Sequence, residues 1–192
     1  MEWDEWYHEL CTVVAKKAQC LSRKIGSVLV KDGTVVSTGY NGPPRGVQTC
    51  DLRWTNDPEL LKAYNKNVTA KGRSDKILKA IYEYEGIYKD HFEGICPRYI
   101  PEMGFKSGQG LEWCVAGHAE RNALINAARN GIATKGTILY MDCGMPCTPC
   151  MVEIINAGVI EIVVTKPDFY DESAKYVLDQ SDLKWRIYDH LK

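Results

Sequence analysis

The 192-residue chain has no stretch of 18 or more apolar residues, so nothing in it reads as a membrane-spanning helix. It lacks an excess of charge of either sign. Lys and Arg number 24 against 25 Asp and Glu, a formal net charge of −1. Proteins that grip nucleic acid through its phosphates carry a basic balance, so nucleic acid is not an expected partner. The opening residues, Met1-Glu2-Trp3-Asp4-Glu5, supply neither the basic start nor the apolar stretch of a secretory signal. Cytoplasmic residence is the expectation that follows. There the eight cysteines stay reduced, and they read as metal ligands or buried apolar groups rather than as disulfides. Internal repeats and low-complexity tracts are also lacking, and the length suits one domain with a real core.

What is present is a split cluster. His118-Ala119-Glu120 is followed, about one helix and one strand later, by Pro146-Cys147-Thr148-Pro149-Cys150. One imidazole and two thiolates give zinc three ligands and leave the fourth tetrahedral position open, as in a catalytic site. Bound zinc brings the pKa of water toward neutrality, and Glu120, two residues past the histidine, is placed to act on such a water as general acid and base. Each half alone says little. His-Ala-Glu at a helix start is common, and a lone Cys-x-x-Cys is more often a structural zinc half-site or a redox pair. The two halves in this order, with Pro directly before the first Cys, make the signature of zinc nucleobase deaminases. The expected zinc ligands are His118, Cys147 and Cys150, and the expected catalytic residue is Glu120.

Periodicity supplies the scaffold. Trp3, Trp6, Tyr7, Leu10, Val13, Val14 and Ala18 recur at helical spacing and predict a helix over 2–19. Residues 25–30 and 34–40 predict two strands, joined by the turn signal Asp32-Gly33, and 41–46 must then be loop. From about 51 to 110 the chain is polar and rich in Lys and Tyr, with helical patches at 58–66 and 74–89 and a Gly-rich loop at 104–110. This stretch is too short for an independent core, so it reads as an insertion in a single domain spanning 1–192. Helices are predicted from His118 through Ala128, over 148–156 and over 171–178. Strands are predicted over 136–141, 159–165 and 183–188. The fold class is α/β: a mixed five-stranded sheet with an initial β-hairpin, flanked by helices on both faces. Both halves of the cluster fall in first helical turns, where the helix dipole favours thiolate over thiol.

The resemblance extends beyond the signature. The chain is similar to the cytidine deaminase fold, and within it to the deoxycytidylate (dCMP) deaminases, phage-type members in particular. The residues that carry this are Ser22-Arg23-Lys24-Ile25-Gly26-Ser27-Val28, Gly39-Tyr40-Asn41-Gly42, His118 through Ala123, Ala127-Ala128-Arg129-Asn130-Gly131, and the Pro-Cys-x-x-Cys. Only the polar insertion is left uncovered. The resemblance implies hydrolytic deamination of dCMP to dUMP and ammonia, feeding thymidylate synthesis, with Glu120 passing protons from water to N3 and to the leaving ammonia. It implies that Asn41 lies near the deoxyribose, that Tyr170 packs on or bonds to the nucleotide, and that Lys24 meets the phosphate. Each has a plainer alternative: Asn41 as a left-handed turn residue, Tyr170 as a core or surface ring, Lys24 as a solvated strand end.

The same resemblance implies a cytoplasmic homo-oligomer, often a hexamer (in the host's cytoplasm if the source is viral). It further implies dCTP as activator, dTTP as inhibitor and Mg²⁺ accompanying the triphosphate. Gly39, Tyr40, Gly42 and Arg129 would then belong to an interface or allosteric site, while Arg129 equally suits a cation at a helix C-terminus. A second, structural zinc is implied on Cys20, Cys50 and Cys114, with His91 or Cys96 as fourth ligand. The alternative is reduced, buried thiols that never meet. The chain departs from the family at Met141-Asp142-Cys143-Gly144-Met145, one residue longer than usual and without its threonine, where backbone accepts the 4-amino group. Cys143 is expected there as a buried thiol. Competing functions are a deaminase of another small pyrimidine nucleotide or nucleoside, a polynucleotide editor, and a zinc-stabilised binding module without catalysis. An editor needs a basic groove and stacking aromatics. A binding module has no use for Glu120.

Overall fold

Alternation along the strands decides the layering. The strands are β1 (Gly26–Lys31), β2 (Thr34–Tyr40), β3 (Ile138–Met141), β4 (Glu161–Val164) and β5 (Lys184–Ile187). Val28, Val30, Tyr140 and Val163 share one face and pack with Tyr7 and Cys11 of α1 (Trp3–Ala15). Their neighbours Leu29, Leu139, Met141, Ile162 and Val164 face the other side, because successive side chains on a strand point to opposite faces. There they meet three helices, α3 (Ala119–Arg129), α4 (Thr148–Asn156) and α5 (Glu172–Asp179), through Ala123, Leu124, Ala127, Met151, Ile154 and Leu178. A further helix, α2, spans Cys50–Asn56.

This computed structural model describes residues 1–60, 62, 96–99 and 110–188. The helical patch expected at 74–89, most of that expected at 58–66, most of the loop at 104–110, and His91 lie outside the described residues. The sheet order is β2-β1-β3-β4-β5. β1 runs antiparallel to β2 and β3, whereas β3, β4 and β5 are parallel. The hairpin closes through Asp32 (φ 49°) and Gly33 (φ 74°), the two left-handed residues that a tight hairpin turn needs. The mixed sheet, the initial hairpin and the helices on both faces are those predicted. Among the described residues no helix is long and apolar enough to cross a membrane.

The chain divides into two compact units. Met1–Ala18, Lys24–Gly42 and Gly117–Lys192 form the first, and Gln19–Arg23 with Pro43–Ala116 form the second. In the second, α2 is held by Arg53, which bonds the Trp113 carbonyl at 2.6 Å and the Asp57 carboxylate at 2.8 Å.

Two features of the first unit matter for the site. Gly39 lets α3 press onto β2: a Cβ there would fall 2.1 Å from the Ala119 oxygen and 2.3 Å from the Ala123 nitrogen. Polar side chains then stitch the helix to the strand. Asn122 and Asn126 donate to the carbonyls of Tyr40 (2.8 Å) and Thr38 (2.9 Å), and the Ser37 hydroxyl donates to the Ala123 carbonyl at 2.7 Å.

Candidate metal and catalytic centre

His118 and Cys147 are N-cap residues, of α3 and α4, with extended backbones (ψ 154° and 166°) and no side-chain capping bond. Their side chains are thereby left to point away from their own helices. Glu120 follows in the first turn of α3 and Cys150 in the first turn of α4, where Pro149 costs no helical hydrogen bond. The two helix starts bring the four side chains together. The Cys147 and Cys150 sulfurs lie 3.3 Å apart, and 3.5 and 3.3 Å from His118 Nδ1. His118 Nδ1 is 3.7 Å from Glu120 Oε1. Among the described residues, this is the group of three or more potential ligands whose donor atoms all lie within 4.8 Å of one another.

The donor set fits zinc. Bonds of about 2.0–2.3 Å to nitrogen and sulfur give tetrahedral edges of about 3.5–3.8 Å, close to the separations found. Proton sharing within the cluster shows how strongly the groups feel one another. Cys147 is pulled well below the ordinary thiol value, first by its hydrogen bond with Cys150 and then, against burial, by His118. Cys150 is pushed the opposite way by the same bond and by burial. Glu120 is 4% exposed. Burial alone would raise its carboxyl, but the bond and charge of His118 outweigh that and hold it below the ordinary value. A buried, ionised carboxylate beside the ligands is what a proton-transfer group requires.

Tyr170 lies within the field of this cluster. Its hydroxyl is pushed up by burial first and then by the charge of Cys147, while the ring as a whole stays half exposed. Asn41 is buried and reaches back to the residue before β1: Oδ1 accepts the Ile25 amide at 2.8 Å. The alternative of a left-handed turn at Asn41 is corrected, since Asp32 is the described non-glycine residue with positive φ. Gly42 exchanges two backbone bonds with Gly117 (3.1 and 2.8 Å), tying the loop after β2 to the residue before His118. Lys24 and Arg129 are exposed and stand outside the cluster. Cys143 is half-buried, bonds the Gly144 carbonyl, and is likewise outside it.

One residue escaped the sequence reading. Asp171 was visible only as a helix start, yet its carboxylate accepts the Thr148 amide at 2.8 Å as well as the Ser173 and Ala174 amides at 3.2 and 3.4 Å. An Asp before an apolar period signals a cap; nothing in the pattern signals the long-range bond.

Comparison with known proteins decides the family. The family model described as the cytidine and deoxycytidylate deaminase zinc-binding region matches residues 1–166. The chain belongs to the cytidine and deoxycytidylate deaminase family. Among relatives, the deoxycytidylate deaminase of Schizosaccharomyces pombe is 28% identical over 186 residues, covering 97% of this chain but 44% of its own length. That of Saccharomyces cerevisiae is 27% identical, over 96% of this chain and 44% of its own. The chain thus spans less than half the length of these two yeast relatives. The deoxycytidylate deaminase of Enterobacteria phage T2 is 29% identical over 157 residues, 81% of this chain and 75% of the phage protein. The fold of this deaminase-family chain is also that of the dCMP deaminase from cyanophage S-TIM5, solved in complex with dCMP and dUMP. That match has a TM-score of 0.59 and 19% identity over 96% of this chain and 95% of the other.

Proposed function

We propose that this chain hydrolyses dCMP to dUMP and ammonia at a zinc centre held by His118, Cys147 and Cys150. The carrying observation is the convergence of those three donors with buried Glu120 within 4.8 Å. The relatives named above as deoxycytidylate deaminases support the choice of substrate. When bound, zinc supplies acidification of a water toward neutral pKa. Glu120 takes the proton released as water oxygen bonds C4, and delivers protons to N3 and then to the departing ammonia. Its burial keeps bulk water from competing for those protons. Tyr170, with half its ring exposed, offers a face to the nucleotide. Asn41 is assigned to the deoxyribose and Lys24, exposed just before β1, to the phosphate.

We further assign a second, structural zinc to Cys20, Cys50 and Cys114, with Cys96 or His91 as fourth ligand. Cys50 is pushed up to about 11, by burial first and then by the negative field of Cys96, with Cys114 and Cys20 adding to it against Arg53. That Cys50 feels Cys96, Cys114 and Cys20 supports this reading. A homo-oligomer such as a hexamer, with dCTP activation, dTTP inhibition and Mg²⁺ on the triphosphate, completes the proposal. Gly39, Tyr40, Gly42 and Arg129 are its interface or allosteric residues. Thiolate ligands suit a reducing compartment such as the cytoplasm.

The test is a substrate panel followed by loss of cytosine absorbance. dCMP should be turned over far better than deoxycytidine, because donors built for a phosphate are left unpaired without it. Cytidine-containing polynucleotides should be inert. Glu120→Gln should retain zinc and dCMP binding while losing at least the 10²–10⁴-fold that general acid–base transfer typically supplies. Equal efficiency on deoxycytidine and dCMP would overturn the phosphate assignment, and near-normal turnover by Glu120→Gln would overturn the role of Glu120.

A further inference from the structure

We propose that Asp171 is a positioning residue of the metal centre: its single carboxylate fastens the start of the cysteine-bearing helix α4 to the segment that carries Tyr170. The proposal rests on the zinc reading above and deepens it.

The first amides of a helix have no partner inside the helix and are usually met by the N-cap side chain. At α4 the N-cap is Cys147, which makes no capping bond because its sulfur faces the cluster. The first amide, that of Thr148, is taken instead by Asp171 Oδ2 at 2.8 Å. The other oxygen, Oδ1, caps α5 through the Ser173 and Ala174 amides at 3.2 and 3.4 Å. Two helix starts therefore share one side chain, with an oxygen for each.

Thr148 follows Cys147 in the chain and Asp171 follows Tyr170, so the carboxylate joins the segments that carry these two residues. A displacement at the Thr148 amide must be felt at the Cys147 sulfur on one side and at Tyr170 on the other. A carboxylate is needed for this. An amide side chain offers one accepting oxygen, and its NH₂ would face an N–H at whichever helix it failed to serve. Ionisation is secured by the Thr148 amide first and by the α5 amides besides, which hold Asp171 below the usual carboxylate range.

Three variants test the proposal, each read by zinc affinity in chelator competition and by the sulfur-to-metal absorption band of the Co²⁺-loaded protein. Asp171→Asn keeps one helix start and loses the other. Thr148→Pro removes the donated amide together with the threonine side chain, at a first-turn position where proline is tolerated and after a Cys147 whose backbone is already extended; Thr148→Ala, which keeps the amide, is its control. Ala174→Gly weakens α5 without touching Thr148. Loss of an outer partner of a metal ligand typically costs about 10–100-fold in metal affinity. Asp171→Asn and Thr148→Pro should each weaken zinc by about tenfold or more, shift the cobalt band, and combine with little further loss. Ala174→Gly should lower the melting temperature and leave both readouts alone. Zinc affinity within twofold of wild type in both Asp171→Asn and Thr148→Pro would overturn the proposal, and so would a matching loss in Ala174→Gly. Wild-type protein that holds no zinc would instead overturn the zinc reading, and this proposal with it.

Discussion

Asp142, at the end of β3, shows what a single buried carboxyl does to the stability of the fold. Its Oδ1 accepts the Gly26 amide at 2.8 Å, but burial outweighs that bond and pushes the group up from 3.8 to about 6. A folded-state pKa above the unfolded one means that the native protein holds the proton more tightly. Stability is then highest below the unfolded pKa and falls as pH rises through about 6, after which it is flat. At about 1.4 kcal/mol per pKa unit the penalty is at most about 3 kcal/mol. Asp142→Asn keeps an acceptor for Gly26 and removes the charge. Its melting temperature should equal that of wild type below about pH 3 and exceed it increasingly up to about pH 6, with a constant gap above; parallel curves throughout would reject the assignment. Neither Asp142 nor Asp171 was legible as anything special in the sequence. A carboxylate in a loop has no period, and its role depends on which distant amide the fold delivers to it. The cluster of His118, Glu120, Cys147 and Cys150 was legible because metal chemistry demands particular donors at particular helical spacings.

α3 is the element on which the site depends most, and its seat is Gly39. A methyl group at that position would meet the backbone of Ala119 and Ala123 rather than a yielding side chain. Gly39→Ala must therefore lift the helix, and Ala119 lies between His118 and Glu120. Overpacking of this kind typically costs about 1–3 kcal/mol. The expected outcome is a lower melting temperature together with weakened zinc retention, and a variant with wild-type zinc affinity would show that the helix absorbs the methyl without moving the ligands. Elements with a strong period were predicted, and their ends were less certain. α1 stops at Ala15 rather than near residue 19, although Ala18 is buried at helical spacing. A turn through the Lys17 and Ala18 amides delivers that side chain to the interior after the helix has ended. α2 was missed altogether, because seven residues carry too little periodicity to register against a polar background.

For the whole molecule the open quantity is the number of metal ions. Cys50 and Cys96 are both buried and belong to the second compact unit, whereas the His118–Cys150 cluster belongs to the first. The proposed structural zinc predicts two zinc ions per chain and, because structural zinc binding is folding free energy, a stability that depends on it. Cys20→Ser combined with Cys50→Ser should lower the count to one and depress the melting temperature. A count of one in wild type, unchanged by the pair of substitutions, would remove the second site. The mixed sheet was legible from alternating helix and strand patterns; the division into two units was not, since it depends on contacts between segments far apart in sequence. The sheet itself ends in β2 on one side and β5 on the other. A bare edge invites a strand from another molecule to add to it. On β2 the carbonyls of Thr38 and Tyr40 are already occupied by Asn126 and Asn122. An incoming strand would have to displace those amides before it could pair, so the bonds that seat the ligand-bearing helix also guard the protein against edge-to-edge aggregation.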